Sequence, residues 1–393
     1  MNIKGFQFAS VEAAIKKPGR LDLALIYSEQ PAAVAAVFTT SKVKAAPVLL
    51  DEERVKGGSV QALVVNSGNA NACTGARGMA DAVETARLVA EGLQIPPESV
   101  RVASTGVIGQ PLPMERITAA VPALVSNCGS STLGDIAVAI MTTDTFPKNV
   151  CRSGAAGGVA YTVAGIAKGA GMIMPNMATM LAFIVTDAAV EPSFLQECFT
   201  SANERSFNAI TVDGDTSTND TALIMANGAA GNQLICSGTP EAEVFAEILN
   251  DLLLSLAKLI VRDGEGATKF VTITVKGALS AAEAKQAAMA VANSSLVKTA
   301  FFGQDANWGR IFAAVGAAGI HVEQLRTELF FDDVQMVSNG LFVGGDAEAR
   351  GTAVLQKSDF AVQVDLHLGN GEATVYTSDL SYDYVKINAD YRT

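Results

Sequence analysis

Thr179 is the residue around which chemistry can be built. The stretch before it opens on Lys168-Gly169-Ala170-Gly171 and is broken by Pro175, and the stretch after it, Met180 to Val185, is apolar and reads as a buried strand. A threonine at a strand start is also what β-propensity alone supplies, but a hydroxyl at the mouth of a rigid strand is placed to attack the carbonyl of Ala178. The resulting N-to-O acyl shift replaces the Ala178–Thr179 amide by an ester, which water cleaves. The product is a new N-terminal threonine whose α-amine, with an unperturbed pKa of roughly 7.7–8.0, serves as a base beside its own hydroxyl. Such a mechanism suits a chain with only two histidines, His321 and His367. Both are read as surface residues, His367 on the polar face of the alternating strand around Val362 to Leu368.

Other signatures fail. Gly165 to Gly171 lacks the GK[ST] ending of a phosphate loop, and Met174 stands where a dinucleotide fingerprint needs its third glycine. Asp213 to Asp220 has the look of a calcium loop but has Thr218 in place of the glycine and Ile224 in place of the glutamate. That segment is expected to build a turn or support a pocket. With two histidines and no CxxC pair, no metal site is expected.

The bulk properties fit a soluble enzyme. Of 393 residues, 49% are hydrophobic and 17% charged, which describes a packed globular chain. The net charge of -12 argues against nucleic-acid or membrane-surface partners. Five cysteines, an odd number, point to free thiols in a reducing, cytoplasmic setting. The start of the chain lacks the apolar core of a signal peptide. Ala155 to Met174, interrupted by Lys168 and five glycines, reads as protein interior.

The elements that must position Thr179 alternate between strand and helix, which predicts an α/β protein. Leu21 to Tyr27, Ala32 to Thr39 and Ala62 to Val65 read as strands, the last running into a polar loop at Asn66 to Asn71. Ala80 to Leu93 reads as a helix with Val83, Ala86, Val89, Ala90 and Leu93 on one face. The clearest helix starts at the N-cap Thr239 and Pro240. It buries Phe245, Ile248, Leu249, Leu252, Leu256 and Leu259, and ends near Asp263-Gly264. Phe270 to Val275 follows as a strand, then a capped helix from Ser280 to Asn293, and strands at Thr327 to Phe331, Ala361 to Leu368 and Ala373 to Ser378.

The segment Lys168 to Asp187 closely resembles the self-cleavage region of ornithine acetyltransferases, the bifunctional arginine-biosynthesis enzymes of the ArgJ family. The likeness runs along nearly the whole chain. It takes in Ser41 to Pro47, Asn66 to Gly75, Ser104 to Gly109, Ala139 to Thr145, Asp213 to Thr221, Arg262 to Phe270, Asp305 to Ile311 and Asn388 to Thr393.

The resemblance implies a DmpA/ornithine-acetyltransferase-like α/β sandwich of sheets and helices. It implies self-cleavage into intertwined chains, residues 1–178 (alpha) and 179–393 (beta), assembled as two alpha with two beta. It also implies that Thr179 is the nucleophile, that Thr105 and Gly106 stabilise the oxyanion, and that Thr142, Lys168, Thr179, Glu265, Asn388 and Thr393 contact substrate. Lys168 suits a carboxylate and Glu265 an ammonium group. The implied reaction moves acetyl from N2-acetyl-L-ornithine to L-glutamate without a cofactor, and acetyl-CoA is a second donor in some members. Two rival readings are a self-processing aminopeptidase or amidase of similar fold, with water as acceptor, and a non-enzymatic module whose glycine loops hold an anion.

Overall fold

The computed structural model describes residues 3–174 and 180–390. They form two compact units, one of residues 3–174, 180–208 and 215–260, the other of residues 209–214 and 261–390. Each unit carries one mixed sheet flanked by helices, so the chain is α/β as expected.

The first unit contains strands β1 (Phe6–Val11), β2 (Leu23–Phe38), β3 (Ser59–Asn69), β4 (Val100–Val107), β5 (Lys148–Ala156), β6 (Val159–Lys168) and β7 (Leu181–Thr186). The short β8 (Ile210–Thr211) belongs to the second unit, and β9 (Thr221–Ala226) returns to the first. The order across the sheet is β4-β3-β2-β9-β7-β6-β5, with β1 also paired to β2. β3 with β4 and β7 with β9 run parallel, and the other pairs are antiparallel.

All residues of β7 and β9 are buried, as an apolar run covered on both faces requires. On one face Leu181, Phe183, Val185, Leu223 and Met225 pack with Leu133, Ile136 and Ile140. The other face takes the helix Pro240–Arg262. A Cβ on Gly165 of β6 would stand 2.9 Å from Leu252 and 3.0 Å from Leu256, so glycine lets this helix close on the sheet. Thr239 caps the helix by accepting a hydrogen bond from Ala242 N at 3.2 Å.

Several expectations need correction. The two strands expected between Leu21 and Thr39 are one long strand with a register break between Tyr27 and Ala32, which carries the exposed turn-formers around Pro31. The polar loop expected at Asn66 is strand as far as Asn69, paired to Ser104–Val107. The helix expected from Ala80 starts at Gly75 and leaves Val83 exposed, with Ala82 buried instead. In the helix from Pro240, Ile248 and Leu259 are half-buried, while Leu253 and Ile260 enter the core. Of Ala155 to Met174, expected to be interior, Tyr161 to Ala170 is buried strand and loop apart from the half-buried Thr162, while Ala155, Gly157, Gly158 and Ala160 are exposed. No helix among the described residues is long and apolar enough to cross a membrane.

The second unit's sheet contains the strands Phe270–Ala278, Glu328–Phe331, Val334–Ser338, Leu341–Phe342, Asp359–Asp365 and Gly371–Ser378, together with β8. Val271, Ile273 and Val275 pack against Ala284, Ala287, Ala288 and Val291 of the helix Ala281–Ala292. Ser280 caps that helix, accepting from Glu283 N at 3.2 Å. His367 lies beyond the strand Asp359–Asp365, in a left-handed conformation (φ 52°) rather than within the strand. Both histidine side chains are exposed, His321 facing Glu323 and His367 facing Glu328 and Asp365.

Candidate active site

The site is assembled where β3 and β4 end. Ser67 is register partner to Thr105 and Gly68 to Gly106, and the register slips at Asn69. Gly106 has φ 133°, and a Cβ there would fall 2.3 Å from Gly68 C and 2.5 Å from Asn69 N. Only glycine fits so close to a neighbouring backbone. Beside it, Thr105 is buried.

A set of asparagines that looks like turn material holds this bulge. Asn66 accepts from Ser104 Oγ at 2.6 Å and donates to Asn69 O at 2.9 Å. Asn69 donates to the carbonyls of Gln110 and Pro111 at 3.1 Å. Asn219, from far along the chain, donates to Ala70 O at 2.6 Å and to Ser104 O at 2.9 Å.

The residue that follows Thr179 hangs on the same segment. Met180 N donates to Asp220 Oδ1 at 3.0 Å, and Thr221 N donates to Met180 O at 3.2 Å. Asp220 is fully buried, and among the described residues its Oδ2 has no hydrogen-bond partner. Burial pushes its carboxyl well above the ordinary range, against the opposing pull of Met180 N–H, the Thr39 hydroxyl and Lys168. The segment Asp213 to Asp220, dismissed as a calcium loop, thus ends in a support for the start of β7.

Lys168 closes β6 directly opposite Leu181, the first residue of β7. It is buried, and its Nζ donates to Thr142 Oγ1 at 2.9 Å. Thr142 follows the helix Leu133–Ala139, which a capping box between Thr132 and Asp135 starts. Ser67 Oγ donates to Ala139 O at 2.7 Å, and Arg20 bridges Ser67 and the Met141 carbonyl. The contacts close a ring from Thr105 through Ser67, Ala139, Thr142, Lys168, Leu181, Met180, Asp220 and Asn219 back to Ser104. Of the expected residues, Thr105, Gly106, Thr142 and Lys168 therefore share one framework.

In the second unit, Asn388 Nδ2 donates to Glu265 Oε2 at 2.8 Å, so these two expected residues also meet. Ser381 Oγ donates to Gly266 O at 2.6 Å and Tyr384 Oη to Asp213 at 3.3 Å, fixing the loop that carries Glu265. Nearby, Lys298 is buried among Thr377 and Ser378. Burial pulls its pKa down to about 7, against Asp379 and Asp213. Between about pH 7 and 10 the folded chain has released this proton while the unfolded chain still holds it, so stability rises with pH in this window. Lys298→Met is expected to remove that rise, measured by denaturant unfolding at about pH 7 and about pH 9. An equal rise in both proteins would place its cause elsewhere.

Ala178, Thr179 and Thr393 lie outside the described residues. The motif Ser41 to Pro47 contributes Ser41, Lys42, Val43 and Lys44 to a cavity of about 850 Å³ in the first unit. Lys44 is ion-paired with Glu52. Among the described residues no group of three or more His, Cys, Asp or Glu is placed to hold a metal.

Residue types alone gave no sign of Asp144 and Lys148, and pointed to Asn219 and Asp220 only as part of a segment that builds a turn or supports a pocket. All four lie in or beside the motifs that carry the resemblance. A single sequence does not reveal that their side chains are buried.

The ArgJ family model matches residues 7–393. The arginine biosynthesis bifunctional protein ArgJ of Geobacter sulfurreducens is 72% identical over 393 residues, the full length of both chains. That of Syntrophotalea carbinolica is 52% identical, again over the whole of both. A crystal structure of the ArgJ protein of Bacillus halodurans is 41% identical with a TM-score of 0.52, covering 53% of this chain and 98% of that one. With a match along almost its entire length and relatives this similar, the chain belongs to the ArgJ family.

Proposed function

We propose that the chain cuts itself between Ala178 and Thr179 and uses Thr179 to carry an acetyl group from N2-acetyl-L-ornithine to L-glutamate. The observation that carries this reading is the ring of contacts in the first unit. It hangs Thr105, Gly106, Thr142, Lys168 and the residue after Thr179 on shared supports. Family membership supports the same reaction.

In the first half-reaction Thr179 Oγ adds to the acetyl carbonyl and its proton passes to the Thr179 α-amine. The developing oxyanion accepts hydrogen bonds from Gly106 N–H and the Thr105 hydroxyl. Each such preset donor is worth about 3 kcal/mol. The amide C–N bond then breaks and ornithine leaves with the proton. In the second half-reaction the glutamate amine attacks the acetyl ester, and the Thr179 oxygen recovers a proton as N-acetyl-L-glutamate departs. The atoms balance without a metal or an organic cofactor. Lys168 and Thr142 hold the substrate carboxylate, Glu265 with Asn388 the ammonium group, and Thr393 adds a further contact. Use of acetyl-CoA, assembly of two alpha with two beta chains and a cytoplasmic location belong to the same reading.

The sheet order explains how a cut chain stays whole. β9 and β7, from the beta side of the cut, lie between β2 and β6 from the alpha side. Their buried ladders lock the two products together.

Acetyl transfer that needs L-glutamate and yields N-acetyl-L-glutamate is the expected assay result. Acetate release indifferent to glutamate would favour a self-processing amidase. Lys168→Ala is expected to raise KM for the amino-acid substrate tenfold or more, the scale of one lost charged hydrogen bond, with a smaller change in kcat. Unchanged steady-state constants would remove Lys168 from the pocket.

A further inference from the structure

We propose that Asp144 is a positioning residue. Its carboxylate fixes Lys168 and Thr142 in the arrangement that receives the carboxylate of the amino-acid substrate. The inference rests on the reading of Lys168 given above and adds to it a group that itself touches no substrate.

Asp144 is buried between three backbone and side-chain elements. Its Oδ1 accepts from Lys148 Nζ at 2.7 Å and from Gly169 N at 2.7 Å. Its Oδ2 accepts from Thr142 N at 2.9 Å and lies 3.9 Å from Lys168 Nζ. One carboxylate thus fixes the backbone on both sides of the candidate contact, at Thr142 and at the residue after Lys168. Burial alone would raise its pKa, but the ammonium groups of Lys168 and Lys148 outweigh that and hold it well below the ordinary range. It is therefore an anion at neutral pH.

The unequal distances matter. A lysine stem has four flexible carbons and gives up rotamer freedom when it is fixed. Asp144 spends its short ionic contact on Lys148, whose side chain is fully enclosed. Lys168 is held by the Thr142 hydroxyl and by the longer-range charge of Asp144, not by a tight pair with it. The arrangement orients the Lys168 ammonium without neutralising it in a close ion pair with Asp144. Lys148 is the anchor that keeps Asp144 from closing on Lys168.

The test compares kcat/KM for N2-acetyl-L-ornithine with kcat/KM for its carboxamide, which lacks the carboxylate charge. The mature wild type should prefer the carboxylate. Asp144→Asn, of nearly the same shape, is expected to lower that preference tenfold or more, towards the value for Lys168→Ala. Lys148→Met, which frees Asp144 to pair with Lys168, is expected to lower it in the same direction, and it serves should Asp144→Asn fail to fold. A role confined to stability would depress both substrates by one factor and leave their ratio unchanged, which would overturn the proposal. A wild type that is active yet blind to the carboxylate would overturn it as well, by removing Lys168 from substrate recognition. A wild type that transfers no acetyl group would instead strike at the proposed reaction.

Discussion

Thr179→Ala is expected to give a single uncut chain that transfers no acetyl group. Without the Thr179 oxygen no N-to-O shift can begin, so Ala178 and residue 179 stay joined by an amide. The catalytic step is lost twice over, because the variant has neither a nucleophilic oxygen nor a free α-amine to take its proton. Removal of a covalent nucleophile costs on the order of 10⁶-fold in kcat where it has been measured in a hydrolase. Thr179→Ser keeps the hydroxyl and is expected to be processed and to retain part of the activity. Gel mobility of the denatured proteins and an N-acetylglutamate assay check both. Measurable transfer by Thr179→Ala would rule out Thr179 as the acetyl carrier.

Gly106→Ala is expected to have the second largest effect. The added methyl would meet Gly68 C at 2.3 Å and Asn69 N at 2.5 Å, and neither is the end of a flexible side chain. The left-handed backbone at φ 133° adds strain of about 1–3 kcal/mol for any residue with a Cβ. The end of β4 must then move off β3, carrying the Gly106 N–H away from the oxyanion. Loss of one such donor lowers kcat by about 10²–10³-fold. Gly109→Ala is the control. Its φ of 78° also carries strain, but a Cβ there meets nothing within 4 Å. Its activity should stay close to wild type while its thermal midpoint falls. Equal kcat values for the two variants would contradict the oxyanion assignment.

Local periodicity made part of this framework legible in the sequence. The apolar run after Thr179 is β7, and the capped amphipathic pattern from Thr239 is the helix that closes on Gly165. The strand from Phe270 and the helix after Ser280 were readable for the same reason. Side chains whose partners are distant were not readable. Asn66 and Asn69 look like turn residues, yet they sit in a strand because they bond to the backbone around the β3–β4 bulge, which Asn219 also braces. Asp144 looks like a surface carboxylate until Lys148, Gly169 and Thr142 surround it. Pro31 and its exposed neighbours split one strand into two apparent ones, because the register slips there instead of the chain turning back. Thr179 was legible from its place before an apolar strand, while the other site residues came from the family resemblance, since a lysine, two threonines and a glycine carry no local signal of their role.

The most direct test of the account is the mass of the denatured protein, recorded with and without N2-acetyl-L-ornithine. Two chains that divide between Ala178 and Thr179 are expected, with one acetyl group added to the chain that begins at Thr179. A single intact chain that gains no mass from the donor would contradict it.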